Sequence, residues 1–357
     1  MISSTKLLHI HGDDFELLAI QQSIPLKQVF RIARGAKTSA QVIVVMIKYQ
    51  GLVGWGESVP YQRYGETIES TISAIKAVST HAKRFTEFAD TIKAHSQGAA
   101  QNALDCAYLD LQAKLTGKAI EVRFNLSKTQ TVITAQTLSI DTPEAMAEAA
   151  KPFAEAPLIK VKLDNIDIIE KMTAIHTMAP HSQFIVDANE AWSIEDLRQC
   201  ADELAALNVV LIEQPLPTGK DEALASLHID IALCADESCH TAKDLPSLLG
   251  KYDVVNIKLD KTGGLTEAVT LAAQAKVMGF DIMIGCMVGS SLAMAPAFLL
   301  SPFAKYIDLD GPLLVKEDRL VSFDIDNGLM QPFSKQLWGG VSHECNIEAN
   351  QLFALYS

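Results

Sequence analysis

The sequence has no cluster of lysine and arginine, no CxxC pair and no low-complexity linker, and each absence removes a class of protein. With a formal net charge of −13 and no basic stripe, a nucleic-acid-binding surface is excluded. A small acidic substrate is not excluded, because it needs only one or two local cations. The six cysteines are scattered over 357 residues, which argues for reduced thiols rather than a disulfide framework. Cys234, Cys239 and His240 could suggest a soft-metal site, but Asp236 beside them already suits a strand-end role. The N-terminus reaches Asp13 and Asp14 before any apolar run of useful length, so no signal peptide is expected. Residues 282–304 carry no charge and are long enough to span a bilayer. They also contain Gly285, Gly289, Ser290, Ser291 and Pro296, which divide them into a strand, a turn and a helix. The expectation is a cytoplasmic protein with no membrane and no nucleic-acid partner.

What is present is a periodic series of short apolar runs. Residues 158–163 (LIKVKL), 184–188 (FIVDA), 209–214 (VVLIEQ), 231–236 (IALCAD), 254–260 (VVNIKLD) and 282–287 (IMIGCM) do not alternate, as expected of strands buried on both faces. Between them lie amphipathic stretches rich in alanine and leucine, such as 167–178, 194–207 and 265–278. The pattern is βαβα, hence a mostly parallel sheet. Adding 132–140 (VITAQTLSI) and 306–309 (YIDL) makes eight strands, which favours a barrel over an open sheet. The first 130 residues differ: strands at 18–20, 40–49 and 51–57, the last two joined around Gln50 and Gly51, precede helices at about 67–88 and 99–115. The division read from this is an α+β capping domain at 1–128, the barrel at 129–320, and a segment at 321–357 that packs back on the cap. The 48% apolar content is ample for a large core.

The strand ends carry the chemistry. Lys162, Asp187, Glu213, Asp236 and Lys258 recur roughly every 25 residues, about the length of one strand with its crossover helix, and Asp308 follows two periods on. In a closed parallel barrel those ends converge on one face. Asp187, Glu213 and Asp236 would then repel one another unless a hard divalent cation, Mg²⁺ above all, lay between them; helix N-caps or lysine partners are the alternative for each alone. Lys160 and Lys162 point to one face of their strand, Ile159 and Val161 to the other. Mutual repulsion and a nearby cation would lower a lysine's pKa and make an amine available as a base. Lys258 would approach from across the barrel, although Asp260, two residues on, offers it an ion pair. A carbon acid held between opposed lysines can lose a proton to one and regain it from the other, which is racemisation or epimerisation. Schiff-base chemistry would not require the three carboxylates.

KxK at 160–162, DAN at 187–189, EQP at 213–215, ADES at 235–238 and NIKLDKTGG at 256–264 resemble the enolase superfamily, muconate-lactonizing-enzyme subgroup. The resemblance implies an α/β fold, a (β/α)7β TIM-like barrel under an α+β cap. It implies Mg²⁺ held by Asp187, Glu213 and Asp236, an enediolate intermediate, acid/base roles for Lys162 and Lys258, and Lys160 at the substrate carboxylate. Asp308 and Asp310 form a DxD pair similar in position to the one that receives the α-amino group in dipeptide epimerases. PYQRYGE at 60–66, QNALDCAYLDL at 101–111, TVITAQT at 131–137, IKVKLDN at 159–165, ADESCHT at 235–241, NIKLDKTGGLTEA at 256–268 and IGCMVGSS at 284–291 extend the likeness to bacterial epimerases of L-Ala-D/L-Glu over nearly the whole chain. This implies conversion of L-Ala-D-Glu to L-Ala-L-Glu in recycling of cell-wall peptides, with a dipeptide as the small-molecule partner. Other dipeptides, o-succinylbenzoate synthesis and muconate cycloisomerisation are the alternatives.

By the same likeness Thr137 and Cys286 line the substrate site, and cap loops at 30–35 and 60–64 set specificity. Arg34, or else Arg31 or Arg63, would bind the glutamate side chain, bidentate recognition suiting a carboxylate. The small Gly289 would enlarge the pocket. Assembly into a homo-oligomer is expected, as is common for barrels of this kind.

Overall fold

The computed structural model describes residues 2–342 and 345–357. The chain opens with an antiparallel meander, β1 (Ser3–His11), β2 (Phe15–Ile32), β3 (Gly35–Tyr49) and β4 (Leu52–Ser58). The apolar run of β3 is explained by burial on both faces. Val42, Val44 and Met46 belong to the large core shared with the barrel, whereas Ile43, Val45 and Ile47 pack with the cap helices. Gln50 and Gly51 both take positive φ (51° and 79°), as a two-residue hairpin requires. β1 has no apolar run of its own, which is why sequence pattern does not show it.

The helices α1 (Ile68–His81), α2 (Phe88–His95) and α3 (Gly98–Thr116) follow, with a further single turn at Ile120–Arg123. Thr67 and Ser70 close a reciprocal cap at the start of α1. The single helix expected over 67–88 breaks at Ala82, where Asp13 N–H bonds to Lys83 O and Phe85 N–H to Asp14 Oδ1, so the break serves to tie the helices to the β1–β2 turn. Helix α3 lies directly on β4: a Cβ on Gly54 or Gly56 would run into the backbone of Ala107 or Ala103.

The stretch 132–140 expected as one strand is two. β5 (Val132–Ile133) leaves the barrel to pair with β15 (Leu329–Met330), itself paired with β14 (Ile325–Asp326). The barrel begins at β6 (Gln136–Leu138) and continues through β7 (Leu158–Lys162), β8 (Gln183–Asp187), β9 (Val209–Glu213), β10 (Ala232–Ala235), β11 (Val254–Ile257), β12 (Asp281–Gly285) and β13 (Tyr306–Asp308). All eight are parallel and lie in chain order. The barrel is nearly closed. Between β6 and β13 the joint consists of Ala135 N–H to Ile307 O (2.8 Å), Leu309 N–H to Thr134 Oγ1 (2.9 Å) and Thr137 N–H to Asp310 Oδ2 (2.7 Å).

The crossovers are uneven. Ile168–Met178, Ile194–Ala206 and Leu265–Val277 are full helices, as expected, but the link from β9 to β10 holds only the 3₁₀ turn Glu222–Ser226. Residues 282–304 divide into β12, a turn and helix Ser291–Phe298; among the described residues no helix is long and apolar enough to cross a membrane. After the barrel the chain returns to the cap. Trp55 Nε1 donates to Leu337 O, Trp338 Nε1 to Cys106 O, and Gly339 N–H to Asp110 Oδ1.

Candidate active site

The C-terminal ends of the barrel strands and the two cap loops enclose a cavity of about 960 Å³. Thr137, Lys160, Lys162, Asp236, Lys258, Cys286, Asp308 and Asp310 line its barrel side. Asp187 and Glu213 lie beneath, both wholly buried. Strand register explains the convergence: Lys162 is opposite Asp187, and Asp187 opposite Glu213. Successive strands therefore present ionisable groups in one row, with Asp236 and Lys258 just past the ends of β10 and β11.

The row is held by ion pairs. Lys162 Nζ is 2.5 Å from Asp187 Oδ2, and Lys258 Nζ is 2.6 Å from Asp236 Oδ2. Lys160 Nζ lies 2.6 Å from Glu213, 2.7 Å from Asp308 and 3.3 Å from Asp187. The ion pair open to Lys258 and Asp260 does not form. Asp260 instead accepts from Val59 N–H and Asn102 Nδ2, joining barrel to cap.

Electrostatics follows from this packing. Burial disfavours the charge on Lys160, but Asp308, Glu213 and Asp187 outweigh it and raise its pKa well above the usual lysine value. Lys258 is raised in the same way, against burial, by Asp236 and Glu213. Repulsion between Lys160 and Lys162 thus does not set the pKa of Lys160, because three carboxylates reach it first. Glu213 is pushed up by burial and by the Asp187 charge. Burial works against ionisation of Asp236, yet Lys258 and Lys261 hold its carboxyl far below the normal range.

Three carboxylates at neighbouring strand ends, with Glu213 disfavoured by its neighbour's charge, fit a hard divalent cation in the chemistry of the donor set. Buried oxygens that accept no hydrogen bond among the described residues, Asn189 Oδ1, Glu237 Oε2 and Asp308 Oδ1, add acceptor capacity around the same cavity.

On the β12–β13 side, Asp310 accepts from Thr137 N–H, and burial together with Asp308 lifts its pKa to about 7. Burial, Asp308 and Asp310 keep Cys286 a neutral thiol. Gly289 does not widen the cavity. A Cβ there would crowd Glu57 Oε1 at 2.8 Å, which accepts from Ser290 N–H, so glycine is needed for the Glu57–Ser290–Arg319 junction.

The cap arginines are already paired. Arg34 reaches Glu237 at 2.6 Å and Glu190 at 3.2 Å, Arg63 grips Glu190 with two nitrogens, and Arg31 pairs with Asp141. Lys37 also lines the cavity, over the Tyr61 ring at 5.1 Å, and has no carboxylate partner among the described residues. Partial desolvation against the cavity wall and the Arg34 charge lower its pKa, although the side chain stays open to solvent. Sequence pattern misses Lys37 because nothing separates it from a surface lysine. It misses Glu237 because strand alternation would turn that residue away from Asp236, whereas β10 ends before both. Lys261, bonded to Asp236 Oδ1 at 2.6 Å, had a signal: it lies three residues after Lys258, one turn of helix Leu259–Thr262.

Residues 144–333 match the enolase C-terminal domain-like family, and residues 15–121 the N-terminal domain of mandelate racemase / muconate lactonizing enzyme. An N-acetyl-D-glutamate racemase from Pseudoalteromonas sp. is 57% identical over 84% of this chain and 95% of its own length. The L-Ala-D/L-Glu epimerase of Escherichia coli K12 is 44% identical over 84% of this chain and 94% of its own. An enolase family member from Agrobacterium tumefaciens with homology to dipeptide epimerases, solved with sodium and L-Ala-L-Glu, is 40% identical with a TM-score of 0.86, covering 91% of this chain and 100% of that one. A dipeptide epimerase from Enterococcus faecalis, complexed with Mg and L-Leu-L-Tyr, is 27% identical with a TM-score of 0.82, covering 93% and 99%. With the barrel match alone spanning more than half of the sequence and these relatives covering most of it, the chain belongs to the enolase superfamily, in its mandelate racemase / muconate lactonizing enzyme branch.

Proposed function

We propose that the protein is a Mg²⁺-dependent epimerase acting at the α-carbon of a glutamate whose nitrogen is acylated, with L-Ala-D/L-Glu as substrate. One observation carries the reading. Lys162 at the end of β7 and Lys258 just after β11 stand four strands apart in an eight-stranded barrel, hence across its axis, with Asp187, Glu213 and Asp236 on the arc between them. A substrate α-carbon between the lysines exposes its hydrogen to one or the other according to its configuration. One amine takes the proton and the opposed ammonium returns one to the other face. Asp187, Glu213 and Asp236 would hold Mg²⁺, which supplies stabilisation of the negative charge that develops on the substrate carboxylate. Lys160, paired with Glu213 and Asp308, orients that carboxylate in this reading.

Lys37, the cavity cation without a carboxylate partner among the described residues, takes the glutamate side chain in this reading, while Arg34 and Arg63 brace the loop against Glu237 and Glu190. Asp308, through an Oδ1 that accepts no hydrogen bond among the described residues, and Asp310 take the α-amino group, and Thr137 and Cys286 line that end. A second reading, N-acetylglutamate, is favoured by the 57% identical relative and by Asp310, whose pKa of about 7 lets a neutral carboxyl face an uncharged acyl group.

Solvent deuterium exchange at the α-carbon with Mg²⁺ tests both readings. L-Ala-D-Glu and N-acetyl-D-glutamate are compared in the native enzyme and in Asp308→Asn. Any effect through Lys160, which Asp308 pairs with, is shared by both compounds, so loss of the ammonium contact should raise KM for the dipeptide about tenfold more than KM for N-acetylglutamate; equal changes in the two KM values remove the amino-group role. A protein that binds either compound without exchange is not an epimerase. Recycling of cell-wall peptides, a cytoplasmic location and a homo-oligomeric state belong to the same proposal, the last checked by light scattering.

A further inference from the structure

On the outer edge of the cap sheet, away from the catalytic cavity, His9 and His11 lie two residues apart on β1 and so share one face. Glu16, on β2, is directly opposite His11 in the antiparallel register. Its Oε2 lies 3.3 Å from His9 Nε2 and 3.7 Å from His11 Nδ1, and all three atoms fall within 4.8 Å of one another. We propose that His9, His11 and Glu16 bind a divalent transition-metal ion of the zinc type.

The spacing fits the ion. Tetrahedral coordination with bonds of about 2.0–2.1 Å sets ligand atoms about 3.4 Å apart. Both carboxylate–imidazole distances are close to this value, and the ligand atoms of the two imidazoles lie within 4.8 Å of each other. The ligand chemistry also discriminates. Two imidazoles and one carboxylate suit Zn²⁺ or Ni²⁺, whereas Mg²⁺ prefers oxygen donors throughout. Lys48 Nζ approaches Glu16 at 3.5 Å, but at Oε1, leaving Oε2 toward the histidines.

The pocket is partly preformed. The His9 side chain is only 17% exposed and stands edge-on to Phe353 at 6.2 Å, while His11 opens to solvent. Three protein ligands leave a fourth position for water. A bound ion would cross-link β1 to β2 and, through His9 and Phe353, steady the C-terminal helix Ile347–Tyr356. None of the three residues lines the catalytic cavity.

The test is calorimetric titration of chelator-treated full-length protein with Zn²⁺ in saturating Mg²⁺, repeated for His11→Ala and Glu16→Gln. Both substitutions lie at positions exposed enough to spare the fold. One equivalent should bind to the native protein, about tenfold or more weaker in Glu16→Gln and lost in His11→Ala. Co²⁺ should give a visible tetrahedral absorption band in the native protein and none in His11→Ala. Zn²⁺ should raise the native melting temperature and leave that of His11→Ala unchanged. Mg²⁺-dependent exchange activity should be equal in all three proteins. Absence of the equivalent in the native protein, or its retention in His11→Ala, overturns the site.

Discussion

The barrel interior holds two layers built by the same strands, and they are opposites. The lower layer is Ala135, Leu158, Ile185, Leu211, Cys234, Val254 and Met283, an apolar plug. Two residues further on, in the same inward direction, come Thr137, Lys160, Asp187, Glu213 and Asp236, and Lys162 and Lys258 lie one step beyond on their own strands. One side-chain repeat thus separates a layer that gains free energy by leaving water from one that loses it. The lower layer secures the fold, and the upper layer spends part of that stability on a charged site.

Five substitutions would break or sharpen this contrast. The largest effect is on rate. Lys162→Ala and Lys258→Ala should each lower epimerisation about 10³-fold or more, measured by polarimetry, while one of them keeps deuterium exchange on a single epimer. Near-native turnover in either would end the two-base scheme. Next, Leu211→Ala in the plug should cost about 2–5 kcal/mol in urea unfolding yet leave kcat of the folded fraction close to native. A parallel fall in kcat would mean that the layers are not separable.

Glu213→Gln tests the converse. Because burial and Asp187 already raise the Glu213 pKa, neutralising it should leave the metal-free melting temperature unchanged or higher, while Mg²⁺-dependent exchange is lost. A marked drop in melting temperature would show that the carboxylate supports the fold. The smallest effect is at the seam with the cap. Burial raises Asp260 to about 7, so the folded state holds its proton more tightly than the unfolded state does. The stability this contributes is complete below the unfolded value of about 3.9 and is lost as pH rises through about 7. Asp260→Asn, which keeps the acceptor used by Val59 and Asn102, should therefore flatten that decline and melt a few degrees higher at pH 8. Identical pH profiles would refute the assignment.

The two layers also explain what could be read in advance. Strand runs and their spacing were legible because both faces of a barrel strand are apolar below the site, and the polar interruptions then stand out one per strand. The split of 132–140 was not legible: Thr134 and Ala135 look like strand residues, and only the return of Leu329 and Met330 takes Val132 and Ile133 elsewhere. Asp187, Glu213, Asp236 and the lysines converge because register is local to neighbouring strands. The cap side depends on contacts across more than a hundred residues, such as Arg34 with Glu237, and no spacing rule reveals that Arg34 is paired while Lys37 has no carboxylate partner among the described residues.

The thin joint between β6 and β13 bears on how such an enzyme can change its diet. Three hydrogen bonds close the barrel there, and one of them ends on Asp310, beside the place proposed for the acyl end of the substrate. The opposed lysines and the carboxylates between them belong to strands paired by backbone ladders on the far arc. Recognition of a dipeptide or of a simpler acyl group can therefore be rewritten at the loosest stave of the barrel, leaving the proton-transfer side undisturbed.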